Sequence, residues 1–514
     1  MASPQEKLAA SLEALQALQD EGVVAVRSSD LGRVHRERLM KAGYLQEVMK
    51  GWYIPSRPDE ERGESTAWYA SFWDFCAAYL TYRFGDEWSL SPEQSLFIHT
   101  GNLSVPKQLL VRAPRARNNK TDLAHGTSIF ETRAAIPSEN ETIIKGGLRL
   151  FSLPSALVAC GPGLFEQNET EARAALALVQ DASDLLGLLL EGGHSKVAGR
   201  LAGALRNIGR ERDADQIIKT MRAADYDVRE TDPFAAPAPF TITTRAPSPY
   251  VMRMRLNWHG MRETVIEIFP QAPGLAKNSD AYLKTVDEVY IDDAYHSLSI
   301  EGYRVSRDLI ERVRAGAWNP DAIESDRAQR DAMAARGYHE AFQSVKNSVA
   351  EVLEGHNPGT VAADDHGDWY RALFAPSVTA GILKAADLAG YRNDRVYIRG
   401  SKHVPPSRES VRDLMPALFE LLIEEQHAAV RVVLGHFMFV HIHPYMDGNG
   451  RMGRFLMNLM LAAGGYSWTV VPVERRADYM AALETASIDQ NIAPFTEFLA
   501  GLTRQPEGRT TSRG

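Results

Sequence analysis

HPYMDGNGRMGR, residues 443–454, joins two apolar segments, AAVRVVLGHFMFV at 428–440 and RFLMNLMLAA at 454–463. Both segments have the apolar spacing of buried helices, and Pro444 ends the first of them. The DGNG run at 447–450 predicts a tight turn, because Asp, Asn and Gly tolerate the backbone conformations that turns need. The second helix then begins at this turn with the positive end of its dipole. The sequence therefore predicts two helices joined by a loop whose backbone amides form an anion-binding nest.

Four side chains around this loop suit the chemistry of phosphate groups. Arg451 and Arg454 are three residues apart on the first turn of the second helix, so both guanidinium groups can reach one anion. Asp447 offers an oxygen ligand for a Mg²⁺ ion held between phosphates. His443 precedes the nest and can take a proton from a hydroxyl group that attacks phosphorus. The pattern favours a site that binds phosphates and activates a hydroxyl.

Three other kinds of site match parts of the same stretch. Residues 448–453 fit the dinucleotide pattern G-x-G-x-x-G, but that fold needs a strand before the glycines, and a helix is predicted there. A calcium loop is excluded because Arg451 stands where an acidic ligand is required. A metal site formed by His441, His443 and Asp447, as in a metal-dependent hydrolase, stays open as an alternative.

The loop resembles the motif of the Fic family, H-P-F-x-D-G-N-G-R-x-x-R, at every defined position except Tyr445, which replaces Phe. The resemblance extends over the helical half, residues 251–503, and implies an all-α fold with a β-hairpin flap. Alternating apolar residues in 391–406 also predict an extended hairpin. The flap would contain Val396 and Ile398 and would hold a target segment by strand pairing. Helical spacing recurs in this half at 281–299, 326–354, 409–423, 426–440, 450–463 and 476–487.

The Fic resemblance implies transfer of AMP from ATP to a Ser, Thr or Tyr hydroxyl of a protein target, the chain itself included. His443 would be the general base, and Asp447 would be the ligand of Mg²⁺. The other predicted nucleotide contacts are Gly448, Asn449 and Gly450 at the β-phosphate, Arg451 and Arg454 at the β- and γ-phosphates, and Tyr479 near the base. Transfer of this kind depends on positioning and charge neutralisation. A Fic enzyme that transfers another phosphate-containing group is the alternative within this class.

A second motif, SLSIEG, lies upstream at 297–302. Taken alone it is typical of an ordinary helix end, with Gly302 past the last turn. Beside the Fic motif it resembles the family's inhibitory helix, [S/T]-x-x-x-E-[G/N], and predicts such a helix around 285–302. Its defined positions are Ser297, Glu301 and Gly302. The resemblance implies that Glu301 pairs with Arg454 and excludes the productive pose of ATP by charge and bulk.

Length and composition limit the classes of protein to which the chain can belong. The 514 residues exceed one typical domain, and 57 basic against 66 acidic residues give a net charge of −9. This balance excludes a chain that is basic overall but allows local basic clusters. Two cysteines, an acidic start and the lack of an 18-residue apolar run predict a cytoplasmic protein without a membrane partner. The proline-rich stretch at 231–250 predicts a linker or a surface strap, and 504–514 predicts a disordered tail.

The front of the chain has a different character. Residues 22–55 predict two helices, the second basic, and a hairpin that turns at Lys50-Gly51. This is the layout of a winged helix, assigned here to residues 1–60, and it resembles the N-terminal domain of AbiEi-type antitoxins. Residues 61–230 predict an α+β regulatory region of the same kind, with helices at 172–190 and 198–221. The candidates for contact with DNA are the basic residues Arg33, His35, Arg36, Arg38 and Lys50.

Together these patterns predict a multidomain, mainly α-helical chain. It has an N-terminal winged helix with an α+β region and a C-terminal all-α Fic fold with a β-hairpin flap. Two functions are consistent with this organisation. The first is a self-inhibited AMP transferase with a targeting or regulatory front half. The second is a DNA-binding transcriptional regulator or antitoxin-like protein whose Fic half senses nucleotide. The oligomeric state stays open, although Fic proteins often form homodimers.

Overall fold

The described part of the chain forms two compact units. The computed structural model describes residues 3–58, 64–239, 248–316 and 330–504. The first unit contains Met1–Arg253 together with the short segment Tyr397–Val404, and the second contains Met254–Val396 and Pro405–Gly514. The predicted tail, apart from Arg504, lies outside the described residues, as does the part of the proline-rich stretch at 240–247.

The front of the first unit is a small mixed subdomain. Its elements are α1 (Pro4–Asp20), β1 (Val26–Arg27), α2 (Arg33–Lys41), β2 (Leu45–Met49) and β3 (Trp52–Pro55). The strands form an antiparallel sheet in the order β1-β3-β2. The turn between β2 and β3 contains Gly51 with a φ of 83°, a conformation that favours glycine. Leu15, Leu39 and Tyr53 bring α1, α2 and β3 into one apolar core.

The structure corrects one expectation in this subdomain. Residues 22–55, all described, contain one helix, α2, where the sequence predicts two. Val26 and Arg27 pair with β3 as a short strand. Asp30 then turns the chain, because its carboxylate accepts hydrogen bonds from the backbone N–H and the guanidinium of Arg27 at 2.8–3.0 Å. A turn fixed by its own side chain leaves no room for a helix there.

The remainder of the first unit combines a sheet with helices. The elements are α3 (Thr66–Phe84), β4 (Ser89–Leu90), α4 (Pro92–His99), β5 (Gln108–Ala113), β6 (Asn119–Asp122), β7 (Ser128–Arg133), β8 (Thr142–Lys145) and β9 (Leu148–Phe151). Four of these strands form a sheet with the order β4-β5-β7-β6, in which β5 and β7 run parallel. The core beside this sheet contains Trp68, Phe72 and Phe75, which are fully buried on α3.

Helices complete the first unit after β9. They are α5 (Leu153–Ala159), α6 (Gly163–Gln167), α7 (Glu169–Leu178), α8 (Ala182–Glu191), α9 (Ser195–Asn207) and α10 (Glu211–Ala223). The single helix predicted at 172–190 is therefore two helices, and the helical stretch predicted at 198–221 contains two helices as well. At the first break, Arg210 Nη1 donates to the carbonyl oxygens of Leu176 and Val179, and Asp181 caps α8 by accepting from Ser183 N–H. These contacts satisfy the free ends of both helices.

The described part of the proline-rich stretch packs on the first unit. Phe234 is 7% exposed, and the Arg173 guanidinium lies 4.3 Å from the centre of its ring. Arg173 Nη2 also donates to the Ala236 carbonyl oxygen at 2.7 Å. Residues 231–239 thus form a strap across a surface, which is one of the two arrangements that the sequence allows.

The second unit is built from helices. They are α11 (Pro249–Ile268), α12 (Ser279–Ile300), α13 (Arg307–Arg314), α14 (Arg330–Leu353), α15 (Pro358–Thr379), α16 (Arg408–Glu424), α17 (Ala428–Ile442), α18 (Asn449–Gly464), α19 (Arg476–Asp489) and α20 (Ala493–Thr503). The unit begins within α11, at Met254. Helices α17 and α18 pack against each other and are joined by the loop at 443–448. The predicted mainly helical fold is confirmed; of the helix predicted at 326–354, residues 326–329 lie outside the described residues.

The predicted hairpin at 391–406 is not confirmed. These residues are all described and contain turns and irregular backbone but no strand. The buried Arg392 guanidinium donates to the carbonyl oxygens of Asp394 and Pro406, and so its donors take the place of ladder hydrogen bonds. The alternation of Val396 and Ile398 therefore reflects partial burial of an irregular segment.

Two further expectations concern membrane contact and cysteines. Among the described helices, none combines the length and the apolar character needed to cross a bilayer. Cys76 and Cys160 are both buried as free thiols. Burial raises the pKa of the Cys76 thiol well above its ordinary value, so it stays protonated and packs as a small apolar side chain.

Candidate functional site

The loop between α17 and α18 is closed by one of its own side chains. The Tyr445 N–H donates to Asn449 Oδ1 at 2.9 Å, and Asn449 Nδ2 donates to the Tyr445 carbonyl oxygen at 2.9 Å. The Tyr445 ring is 1% exposed and stacks on Tyr370 of α15, with 3.9 Å between ring centroids. The amide at 449 and the ring at 445 therefore fix the shape of the loop, and Tyr in place of Phe leaves the stack intact.

A buried arginine from another part of the second unit also holds the loop. The Arg392 N–H donates to the Pro444 carbonyl oxygen at 2.9 Å, and Arg392 Nε donates to the His443 carbonyl oxygen at 2.8 Å. Burial lowers the pKa of Arg392 to about 10, so the group stays charged at neutral pH. The sequence analysis missed this role, because backbone carbonyl acceptors some fifty residues away leave no pattern in the sequence.

His443 ends α17 in a left-handed conformation, with φ 54° and ψ 59°. Its Nδ1 lies 3.2 Å from the Val440 carbonyl oxygen. A carbonyl oxygen can only accept, so Nδ1 carries the proton and Nε2 keeps the basic lone pair. Burial, helped by the charge of Arg392, lowers the pKa of His443 to about 4 despite that hydrogen bond. The imidazole is therefore neutral at pH 7 and able to accept a proton.

Helix α18 presents two buried arginines beside its N-terminus. The residue before the helix, Gly448, has a φ of 81°. The Arg451 and Arg454 side chains are 1% and 3% exposed. Among the described residues, Arg451 Nε and Nη2 and Arg454 Nη1 have no hydrogen-bond acceptor. Buried donors are rarely left unpaired, so these groups indicate an acceptor-rich ligand, and the helix N-terminus favours an anion.

The other donors of Arg454 are bound by the C-terminal turn of α12. Arg454 Nε donates to Ser297 Oγ at 2.9 Å, and Nη2 donates to Glu301 Oε1 at 2.7 Å. A Cβ atom at Gly450 would lie 2.3 Å from Glu301 Oε1, so the carboxylate lies directly against the loop backbone. Burial alone would raise the pKa of Glu301, but the charges of Arg454 and Arg451 outweigh it and leave the pKa below its ordinary value. Glu301 is therefore an anion that accepts a hydrogen bond from Arg454.

Comparison with known proteins identifies this part of the molecule. Residues 363–461, which include the whole loop, match the model of the Fic/DOC family. This part of the second unit is therefore similar to Fic/DOC domains. Curated relatives include two proteins named protein adenylyltransferase Fic. One from Drosophila mojavensis is 36% identical over 231 residues, which is 44% of this chain and 42% of the relative. One from Drosophila grimshawi is 28% identical over 222 residues, which is 42% of each chain.

The relatives are longer than the region they share with this chain. The chain spans less than half the length of these curated relatives. Among solved structures, a chain of Fic-1 from C. elegans is 18% identical, covers 65% of this chain and 89% of its own, and has a TM-score of 0.37. Glu301 and Tyr479 both lie outside the residues that match the Fic/DOC model.

Tyr479, the predicted contact to the nucleotide base, lies in the interior of the second unit. It is 2% exposed, and its hydroxyl bonds to His436 Nε2 at 2.7 Å. His436 Nδ1 donates to the Gly453 carbonyl oxygen at 2.7 Å, and burial lowers the pKa of this histidine to about 3. His436, which the sequence analysis did not single out, thus links α17, α18 and α19. Contact between Tyr479 and a base stays a prediction.

The predicted docking segment divides between the two units. Val396 belongs to the second unit, while Ile398 belongs to the segment Tyr397–Val404, which groups with the first. In the first unit, the Gly400 N–H donates to Thr66 Oγ1 at 3.0 Å. Arg399 pairs with Glu64 at 2.7 Å. Contact between this segment and a target protein stays a prediction.

The sequence predicted Asp447 as a ligand of Mg²⁺ and, as an alternative, a metal site formed by His441, His443 and Asp447. Within the described ranges, no group of three or more His, Cys, Asp or Glu side chains is arranged to hold a metal ion. The alternative site of His441, His443 and Asp447 therefore does not form. The Asp447 side chain is 58% exposed at the loop, and its Oδ1 lies 3.5 Å from Arg451 Nη2. One carboxylate suits a Mg²⁺ ion whose remaining ligands are phosphates and water.

Most of the residues proposed to contact DNA bond within the first unit. His35 and Arg38 both reach Ser11 of α1, and Arg36 donates to the carbonyl oxygen of Leu31. Arg33 is exposed but paired with Glu37 of the same helix at 2.7 Å. Lys50 is exposed at the turn between β2 and β3. Three of the five side chains thus stabilise the subdomain, and contact with DNA stays a prediction.

Proposed function

We propose that the chain is a protein adenylyltransferase that moves AMP from ATP to a hydroxyl group of a protein. The observation that carries the proposal is the pair of buried arginines with unpaired donors at the start of α18, next to a neutral imidazole. The name shared by the curated relatives supports the choice of AMP as the group transferred. Gly448, Asn449 and Gly450 would surround the β-phosphate, while Arg451 and Arg454 would neutralise the β- and γ-phosphates.

The proposed reaction has one displacement step. The hydroxyl oxygen of the target attacks the α-phosphorus of ATP, while its proton passes to His443 Nε2. The bond between the α-phosphorus and the bridging oxygen breaks, and pyrophosphate leaves with the charges that the arginines balance. Arg392 and the Val440 carbonyl oxygen hold the imidazole in its position and tautomer. Asp447 would hold Mg²⁺ together with the phosphates, and the ion would supply further charge neutralisation.

The proposal includes self-inhibition by Glu301. Its carboxylate bonds to Arg454 at 2.7 Å and lies against Gly450, so it competes with the γ-phosphate for the same donor and the same space. Because the pKa of Glu301 is below its ordinary value, the competing charge is present throughout the neutral range. ATP can then bind productively only after the pair separates.

The proposal assigns target docking and regulation to the rest of the chain. Val396 and Ile398 would contact the target segment. The first unit would have a regulatory role. The irregular backbone at 391–406 would pair with an extended peptide through main-chain groups.

Radioactive labelling tests the proposed reaction. The wild-type chain and the variants Glu301→Gly and His443→Ala are incubated with Mg²⁺ and ATP that is labelled on the α- or the γ-phosphate. We expect label from the α-phosphate only, strongest for Glu301→Gly and lost in a Glu301→Gly/His443→Ala double variant. His356→Ala is the matched control, because this exposed histidine lies on the surface with Glu351. Transfer of the γ-label would show phosphate transfer, and labelling retained by His443→Ala would remove the assigned base.

A further inference from the structure

The guanidinium group of Arg451 lies over two aromatic rings. Its central carbon is 5.1 Å from the centre of the Tyr303 ring and 5.0 Å from the centre of the Phe374 ring. Both distances are within the range of cation–π attraction. The side chain is 1% exposed, so the rings interact with a cation that water hardly reaches.

The two rings leave hydrogen-bond donors of the guanidinium group for a ligand. Aromatic rings attract the positive charge of this group, whereas its hydrogen-bond donors point outward in its plane. Arg451 Nε and Nη2 have no hydrogen-bond acceptor among the described residues. Asp447 Oδ1 approaches Nη2 at 3.5 Å as an ion pair. A cation held by two rings, with hydrogen-bond donors that have no acceptor, is available to bind a phosphate.

The helix end that carries Glu301 also fixes Tyr303. Gly302 has a φ of 85°, and its N–H donates to the Ser299 carbonyl oxygen at 3.0 Å. The Tyr303 N–H donates to the Leu298 carbonyl oxygen at 3.1 Å. These two bonds are the Schellman arrangement, which sets the direction of the chain after a helix. The conformation at Gly302 therefore positions Glu301 on Arg454 and Tyr303 on Arg451.

We propose that Tyr303 is a positioning residue of the phosphate site, which holds Arg451 in the orientation needed to bind ATP. The proposal rests on the proposed function and adds a second role for the inhibitory helix end: one residue blocks Arg454, and another supports Arg451. The Arg330 guanidinium lies 5.3 Å from the centre of the same ring. Phe374 is a poorer subject for a test, because its ring also packs against Gly448.

The test is carried out in a Glu301→Gly background, where the competing carboxylate is absent. Tyr303→Leu removes the ring, and Tyr303→Phe keeps it. Tyr295→Leu is the matched control, because this ring on α12 makes a cation–π contact with a different arginine: the central carbon of the Arg307 guanidinium lies 4.2 Å from its centre. Calorimetry measures the Kd of Mg²⁺-ATP, and labelling measures KM for ATP and kcat. Thermal unfolding confirms that each variant is folded.

We expect Tyr303→Leu to raise Kd and KM for ATP by roughly 2- to 30-fold, the range of a single cation–π contact. Tyr303→Phe should restore both values to within about twofold, and Tyr295→Leu should leave them unchanged. An unchanged Kd for Tyr303→Leu, or equal losses in the Phe and Leu variants, would overturn the proposal. An effect of Tyr295→Leu as large as that of Tyr303→Leu would do the same. If the Glu301→Gly protein transfers no AMP, the proposed function fails, while the calorimetric comparison still decides the role of Tyr303.

Discussion

Replacing Glu301 by Gly should change nucleotide affinity and stability in opposite directions. In the wild type, the carboxylate accepts a charged hydrogen bond from Arg454 at 2.7 Å, with side chains that are 28% and 3% exposed. Hydrogen bonds to charged groups contribute about 1.5–3 kcal/mol, which corresponds to a factor of about 10 to 150 in an equilibrium constant. ATP must overcome this interaction before it can reach Arg454. We therefore expect Glu301→Gly to lower the Kd of Mg²⁺-ATP by about 10- to 150-fold.

The same substitution should destabilise the protein without nucleotide. Removal of the carboxylate leaves the buried Arg454 charge with Ser297 as its hydrogen-bond acceptor, and so the free energy of unfolding should fall by about 1.5–3 kcal/mol. Mg²⁺-ATP at 100 times its Kd should return about 2.7 kcal/mol, because it binds the folded state. Isothermal titration calorimetry measures the Kd of Mg²⁺-ATP. Calorimetry of thermal unfolding, with and without Mg²⁺-ATP, measures the change in stability.

Two companion variants separate the contributions of charge and bulk. Glu301→Gln keeps the size of the side chain and removes its charge, so an intermediate Kd is expected if both matter. Glu311→Gln is the matched control, because Glu311 pairs with Arg314 at 2.6 Å on a surface where both side chains are at least 40% exposed. Exposed pairs contribute about 0–1 kcal/mol, so this variant should bind ATP as the wild type does. The reasoning is refuted if Glu301→Gly binds ATP no more tightly than Glu311→Gln, or if it is more stable than the wild type without nucleotide.

Three further predictions concern the loop and its pH dependence. Because the pKa of His443 is lowered to about 4, kcat/KM of the Glu301→Gly protein should fall on the acid side only below about pH 5, and a midpoint near 6.5 would contradict the neutral imidazole. The pKa of Glu301 is lower in the folded protein than the ordinary Glu pKa of 4.5. Its pair with Arg454 therefore stabilises the fold fully at pH values above 4.5, and this stabilisation is lost as the pH falls through the lowered pKa. Wild-type inhibition should accordingly be constant from pH 6 to 8, and activation by mild acid in labelling assays would count against it. Asn449→Ala removes both hydrogen bonds to Tyr445, so chemical unfolding should show a loss of about 1–3 kcal/mol together with lost labelling, and unchanged activity would show that the loop does not need this closure.

The parts of the site that were predictable from the sequence are those that are local in the chain. The turn at 447–450, the helix ends around it and the spacing of Arg451 and Arg454 depend on backbone preferences and on 3.6-residue periodicity, which neighbouring residues determine. The Glu301–Arg454 contact joins residues 153 positions apart, and only the resemblance to a known motif suggested it. Without that resemblance, 297–302 is an ordinary helix end.

The residues that were missed act through tertiary contacts. Arg392 donates to backbone carbonyl oxygens. Phe374 and Tyr303 make cation–π contacts with a guanidinium group, and His436 bonds to a carbonyl oxygen and a buried tyrosine. None of these partners has a required sequence spacing. The hairpin expected at 391–406 was wrong for a related reason, since strand alternation cannot reveal that the donors of Arg392 bind the nearby carbonyl oxygens.

The two arginines of α18 are stabilised by different interactions, and this difference would make the proposed inhibition reversible. Arg454 is held by a carboxylate and a serine on α12, whose acceptors a phosphate group can replace one for one. Arg451 is held by the faces of two rings, which a phosphate at its edge does not displace. Separation of Glu301 from Arg454 therefore frees one binding group while the other stays oriented. An inhibitory contact that displaced Arg451 as well would require the site to be rebuilt each time inhibition is released.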